Sequence, residues 1–198
     1  MGAMLLRRCG TDALLVEVDS LTEVAAVRAA LQDVDGIEEL VPAARTVLVK
    51  GALNAVRDAL GNIDLTKAPT THPREITLPV IYDGPDLELV AEAAGITQDE
   101  VVKLHTEATY EVAFCGFAPG FAYLTGLPES LQQPRLDSPR TKVPQGSVGI
   151  AGEFTAAYPR ATPGGWRLIG RTEITLFDPQ AETPALLQPG DQVRFVVA

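Results

Sequence analysis

Two cysteines, Cys9 and Cys115, and two histidines, His72 and His105, are the only thiol and imidazole side chains in 198 residues. That is too few for a disulfide framework. Neither histidine has metal-ligand spacing to a cysteine and no HExxH pattern occurs, so no metal centre is expected. Such sparing cysteine usage makes a reducing, cytoplasmic compartment the default. Long apolar runs are also missing: no stretch reaches the length of a membrane span, and the N-terminus has no basic region followed by an apolar core and cleavage site. Positive charge is scarce. Sixteen Lys and Arg against 26 Asp and Glu leave a formal net charge of −10, which repels phosphates and argues against nucleic acid or an anionic membrane as partner. The signatures of self-sufficient catalysis are absent as well. There is no GxxxxGK[ST] P-loop, no GxSxG elbow, and no Ser- and Gly-rich amidase stretch with its catalytic lysine.

What is present is an ordinary globular composition, 46% hydrophobic and 21% charged, enough for one large domain or two small ones. Ala13–Val18 is an apolar strand candidate. Ser20-Leu-Thr-Glu23 has the spacing of a capping box, and Leu21, Val24, Val27, Leu31 and Val34 follow at helical spacing until Gly36. Ile37–Val41 and Thr46–Lys50 read as strands, and a second helix runs from Leu53 to Leu60. The order β-α-β-β-α needs one more strand for a split βαβ, ferredoxin-like unit, and Ile76–Tyr82 either supplies it or opens the next domain. Lys67–Pro73 reads as the linker, which places one domain over 1–73 and a second over 74–198.

Leu87–Ala94 and Gln98–His105 are two short helices around Gly95, with a second capping box at Thr97–Glu100. The pair has the outline of a helix-turn-helix, yet between Asp86 and Glu107 six acidic residues face a single Lys103. A recognition helix needs cations for phosphates, so a surface helix pair is the better reading. From Gly116 to Gly190 the texture changes to ten prolines and ten glycines between short apolar runs such as SVGIAG, WRLIG, EITLF and QVRFVV. Turns at that density favour a closed or strongly curved β-barrel.

Within it, GFAPGFAYLTGLP (Gly116–Pro128) carries no charge and packs Phe117, Phe121 and Tyr123 among glycines and prolines, a composition foreign to strands and to polar loops alike. A stiff loop of this kind set on a barrel forms a pocket wall or an interface. Phe114 and Phe117 read as filling the barrel mouth; Phe121 and Tyr123 stand evenly between filling and lining a pocket. Among the polar residues, Arg135, Arg140 and Lys142 are the cations suited to a carboxylate, Arg140 and Lys142 lying between prolines that restrict their backbones. Surface ion pairing is the equal alternative. Ser147 opens the strand expected to floor the pocket. Thr155 and Tyr158 either donate to a substrate or satisfy turns, and Trp166 is a packing anchor whose N–H can line the pocket. His105 ends a helix, where a cation is favoured, and a general acid or base role stays open. Cys115 reads as a buried, inert thiol.

GFAPGFAYLTGLPESL, PRLDSPRTKVPQGSVGIAG, TAAYPRATPGGWRLIGRT, LFDP and PGDQVRF, in that order from about Tyr110 to Phe195, resemble the allophanate-hydrolase subunit 1 family. That family includes the histidine-kinase inhibitor KipI and 5-oxoprolinase subunits of the PxpB type. The resemblance implies an α+β protein with a ferredoxin-like N-terminal domain and a cyclophilin-like β-barrel C-terminal domain. It implies a subunit 2 (KipA-like) partner and, in the 5-oxoprolinase case, a LamB/YcsF-type third protein, the assembly using ATP to open 5-oxoproline to glutamate. Related modules form the carboxyltransferase part of urea carboxylase. It raises Arg140 and Lys142 as holders of a small carboxylate or amide substrate. The competing role is a KipI-like inhibitor that binds a sensor histidine kinase. One departure is Phe154, in IAGEFT, where the family often has Gln.

Overall fold

The computed structural model describes residues 4–61, 63–66 and 73–198. The expected linker at Lys67–Pro73 lies, except for Pro73, outside the described residues, as does His72. The chain divides into two compact units, Met1–His72 and Pro73–Ala198.

The first unit runs β1 (Leu5–Cys9), β2 (Ala13–Glu17), α1 (Leu21–Leu31), β3 (Ile37–Pro42), β4 (Thr46–Gly51) and α2 (Leu53–Gly61). Its antiparallel sheet has the order β1-β2-β4-β3. The strand that the β-α-β-β-α pattern lacks is therefore β1, which pairs with β2 from Leu5↔Glu17 to Cys9↔Ala13. Ile76–Tyr82 does not supply it. The Arg8 guanidinium braces the intervening turn by donating to the carbonyls of Gly10 and Thr11. At α1, Ser20 Oγ accepts from Glu23 N–H while the Glu23 carboxylate takes Asp19 N–H, one residue earlier than a reciprocal capping box requires. Alternation along β2 and β4 points Leu14, Val16, Val47 and Val49 at Val24, Val27 and Leu31 of α1 and Val56 and Leu60 of α2. Each fully buried Val or Leu contributes roughly 1.5–3 kcal/mol. That gain outweighs the poor helix propensity of α1's valines.

The second unit holds β5 (Glu75–Val80), α3 (Leu87–Ala94), α4 (Gln98–Glu107), β6 (Tyr110–Cys115), β7 (Ala122–Thr125), β8 (Arg140–Val143), β9 (Ser147–Ala151), β10 (Phe154–Ala157), β11 (Thr162–Gly164), β12 (Arg167–Arg171) and β13 (Gln192–Val197). Seven of these strands form one sheet in the order β12-β9-β10-β7-β6-β13-β5, and β8 and β11 form a separate ribbon. The sheet nearly closes on itself. Just past β5, Ile81 and Arg171 exchange both backbone hydrogen bonds, at 2.8 and 2.9 Å, which joins the two edges. Along that seam, Gly84 N–H and Asp86 N–H donate to the carbonyls of Ile169 and Leu168. The approach is so close that a Cβ on Gly84 would lie 2.3 Å from the Leu168 carbonyl oxygen, and one on Gly170 would lie 2.5 Å from that of Ile81. Only glycine fits at such contacts.

The helix pair α3–α4 stands as expected. Gly95 takes a left-handed φ of 70° to end α3, and Thr97 and Glu100 cap α4 reciprocally. The expected strand in EITLF does not form. Thr172 Oγ1 accepts Ile174 N–H in a local turn, and the segment pairs only through an isolated Phe177–Ala185 bridge. No helix among the described residues is long and apolar enough to cross a membrane.

Candidate functional site

The loop Gly116–Phe121 connects β6 to β7 and is pinned at both ends. Gly116 N–H donates to the Phe121 carbonyl at 3.1 Å and Phe121 N–H to that of Ala118 at 2.9 Å. It turns Phe121 inward and leaves Phe117 at the surface. Its aromatic residues meet Tyr158 after β10 and Trp166 before β12, in a set of edge-to-face contacts. Phe121 lies 5.2 Å from Tyr158 and 5.6 Å from Trp166, and Tyr123 lies 5.7 Å from Trp166. These rings enclose a cleft of about 70 Å³, lined also by Phe117, Arg135, Gly164 and Gly165. A single water needs only about 10–15 Å³ of such room, so the cleft admits a ligand of a few heavy atoms.

Arg135 is the cation of the cleft. Its side chain is exposed, while its backbone is fixed on both sides: Gly152 N–H donates to the Gln133 carbonyl, and Leu136 N–H to the Gly165 carbonyl, each at 2.7 Å. Burial pushes the Tyr123 and Tyr158 hydroxyls up, that of Tyr158 to about 12, and the charge of Arg135 works against the rise at both. The phenols therefore stay protonated as hydrogen-bond donors, with a positive charge beside them.

Of the residues expected at a site, the structure brings together Phe121, Tyr123, Arg135, Tyr158 and Trp166. Arg140 is not a free cation. Its guanidinium is bound to Asp86 at 2.7 Å and reaches the Trp166 carbonyl at 3.4 Å. Asp86 stands at the N-cap of α3 without capping it. Its second oxygen accepts Leu168 N–H at 2.7 Å, so this carboxylate ties the β8–β11 ribbon to the barrel seam. Lys142 sits exposed on β8 and is not among the lining residues. Ser147 is buried, serving through its backbone, where its carbonyl accepts Tyr158 N–H. Cys115 is a half-buried thiol pushed up to about 11 by burial, with only a long contact to the Leu187 carbonyl, which makes it a poor nucleophile. Phe117, read from sequence as mouth filling, is 60% exposed at the cleft lip. Its setting between glycines in GFAPG is the signal that marks it as unusual.

His105 does not end α4 as an exposed cation; it is fully buried. Thr155 Oγ1 gives its one proton to the Gly149 carbonyl, so it accepts from His105 Nε2–H at 3.0 Å, and Nδ1 accepts from the Tyr82 hydroxyl at 2.7 Å. Both ring nitrogens and Thr155 are thereby used inside the core, away from the cleft. Burial lowers the imidazole from 6.5 to about 3, so it is neutral when folded. Unfolded chain binds this proton below about pH 6.5 and the folded protein does not. The stability that neutral His105 contributes is thus fully present above pH 6.5 and is lost as pH falls toward 3, at up to about 1.4 kcal/mol per unit. Urea unfolding at pH 7.5 and 5 should show a loss of about 2 kcal/mol from this group. His105→Gln should have the shallower pH slope of the two proteins; parallel slopes would remove His105 from the account.

Among the described residues, no group of three or more His, Cys, Asp or Glu is placed to hold a metal ion.

A smaller α+β unit followed in the chain by a helix-flanked, nearly closed barrel is the architecture that comparison with known structures returns. Kluyveromyces lactis urea carboxylase matches at a TM-score of 0.78 over 98% of this chain and 22% of its own, at 21% identity, which is a likeness of fold. The model for the carboxyltransferase domain, subdomain C and D, matches residues 4–187, and the chain belongs to that family. It is 45% identical to the 5-oxoprolinase subunit designated B of Escherichia coli O157:H7, over 84% of this chain and 80% of that protein. With the corresponding 5-oxoprolinase subunit of Bacillus subtilis strain 168 it shares 49% identity, over 62% of this chain and 52% of the relative. A crystal structure of TTHA0988 superposes with a TM-score of 0.81 at 31% identity, over 95% of this chain and 40% of that one.

Proposed function

We propose that the chain is a non-autonomous subunit of an ATP-dependent amide-opening enzyme, a 5-oxoprolinase in preference to an allophanate hydrolase. It would act with a subunit 2 (KipA-like) partner and a LamB/YcsF-type protein. The observation that carries the reading is the 45% identity to a 5-oxoprolinase subunit along 84% of the chain. The site agrees in chemical character. A small cyclic amide acid brings a flat ring for the walls of Phe121, Tyr158 and Trp166, and a carboxylate for Arg135, whose guanidinium can hold it with two parallel N–H donors. Tyr123 and Tyr158, protonated, are the remaining donors. In this reading the barrel is cyclophilin-like. The first unit is a ferredoxin-like sheet whose fourth strand is β1, supplied from the N-terminal side.

With no P-loop and no nucleophile motif, the chain by itself should not turn over substrate, and ATP would be used by the assembly. Purified alone, it should release no glutamate from 5-oxoproline and ATP. Mixed with the subunit 2 and LamB/YcsF-type proteins, it should do so in an ATP-dependent manner. Glutamate release by the single chain, or none by the reconstituted set, would overturn the proposal.

A further inference from the structure

Phe117 has a φ of 67°, and among the described residues it is the one non-glycine with a positive value. A bulky residue rarely sits there, because its Cβ crowds the backbone. The surroundings tighten the conformation further. Ala118 N–H donates to the Gly116 carbonyl at 2.7 Å, closing a three-residue turn around Phe117 of the rare, strained left-handed kind. The rest of the loop blocks relaxation. Its ends are hydrogen-bonded to each other, and Gly120 is wedged so closely that a Cβ there would lie 2.6 Å from Phe177 Cβ.

The strain does not bury the ring. Phe117 is 60% exposed, the second most exposed of the large hydrophobic residues described, after Val197. Glycine would take this φ freely, and a polar side chain would suit the exposure. What the conformation achieves is placement. The Phe117 ring stands edge-on to Phe121 at 5.2 Å and 73°, and to Tyr158 at 6.5 Å and 87°, at the lip of the cleft those two rings wall. Strain of this kind persists where the fold over-determines it, and it gathers at ligand clamps.

We propose that Phe117 is a clamp and specificity residue. Its ring closes over a small, flat, anionic cyclic amide held in the cleft, and shields it from water at the lip. The inference rests on the reading of the cleft as the substrate site. It adds that the lip selects ligands by flatness, while Arg135 selects them by charge.

Trp166 is the only tryptophan in the chain and lines the cleft, so its fluorescence reports occupancy directly, without partners or turnover. The wild-type chain, Phe117→Ala and Phe117→Gly are each titrated with 5-oxoproline and melted. Both variants lose the ring, but only glycine also relieves the backbone. The expected result is at least tenfold weaker binding in both. Phe117→Gly should melt above Phe117→Ala by about 2–4 °C, the shift that about one kilocalorie of relieved strain gives a chain of this size. Wild-type affinity in either variant overturns the clamp, as does the absence of any 5-oxoproline response in the wild-type chain. Loss of co-elution with the subunit 2 protein, with the titration unchanged, would make Phe117 an interface anchor instead and likewise overturns it. Failure of the reconstituted enzyme to release glutamate is a separate outcome that strikes the functional reading and leaves this titration standing.

Discussion

Arg135→Gln should raise the KM of the assembled enzyme for its carboxylate substrate about 10- to 100-fold and leave the melting temperature within about 1 °C of wild type. The kinetic effect follows from losing the charge and one of the two hydrogen bonds, since glutamine keeps an N–H donor; a charge-assisted bond contributes roughly 1.5–3 kcal/mol, where 1.4 kcal/mol is a factor of ten. The thermal result follows because the Arg135 side chain is exposed and its loop is held by backbone hydrogen bonds on either side. Lys142→Ala is the matched control. It removes a nearby exposed cation outside the cleft and should change KM less than twofold. Steady-state kinetics with thermal melts decides the matter, and equal KM shifts in the two variants would place the anion site elsewhere.

Asp86→Ala should destabilise the second unit by about 3 kcal/mol. The side chains of Asp86 and Arg140 are 8% and 28% exposed. Removing the carboxylate leaves the Arg140 guanidinium without its anion and the buried Leu168 N–H without an acceptor. With roughly 2–4 °C per kcal/mol in a chain of this length, the melting temperature should fall by roughly 6–12 °C. Asp86→Asn keeps an acceptor for Leu168 N–H and should lose less. A wild-type melt for Asp86→Ala would show that the ribbon is held by its strand pairing alone.

Those two side chains also mark where sequence stopped informing. From sequence, Arg135 and Arg140 are both cations that follow a proline, and Arg140 is the one that the resemblance raised. What separates them is Asp86, 54 residues earlier, which neutralises one and not the other. Nothing local to DSPRTK announces that partner. The helices of the second unit were legible because their caps are local chemistry: Thr97 with Glu100, and Gly95 at a left-handed φ. β1 was not, because LLRRC puts two arginines in an exposed edge strand whose only apolar alternation is weak. His105 misled for a related reason. Its place in the last turn of α4 signals a cationic cap, and only the tertiary contacts of Tyr82 and Thr155 turn it inward. The cleft itself was half legible. Five of its eight lining residues were candidates, while Phe117, Gly164 and Gly165 matter for backbone geometry that residue type alone does not disclose.

The parallel pairing of β5 with β13 runs from Glu75↔Gln192 to Val80↔Val197, and beside it Arg74 holds Asp191 across 117 residues. A ladder of that span has a kinetic consequence. As the chain leaves the ribosome, the first unit has every strand of its sheet in hand and can fold at once, since its partners are near in sequence. The barrel cannot. Leu78 and Val80, wholly buried in the finished molecule, must wait unpaired through the synthesis of more than a hundred residues for their neighbours Phe195 and Val197. Closing so long a loop makes this the slow step of folding. It also makes the waiting β5 edge the stretch most in need of protection from wrong partners.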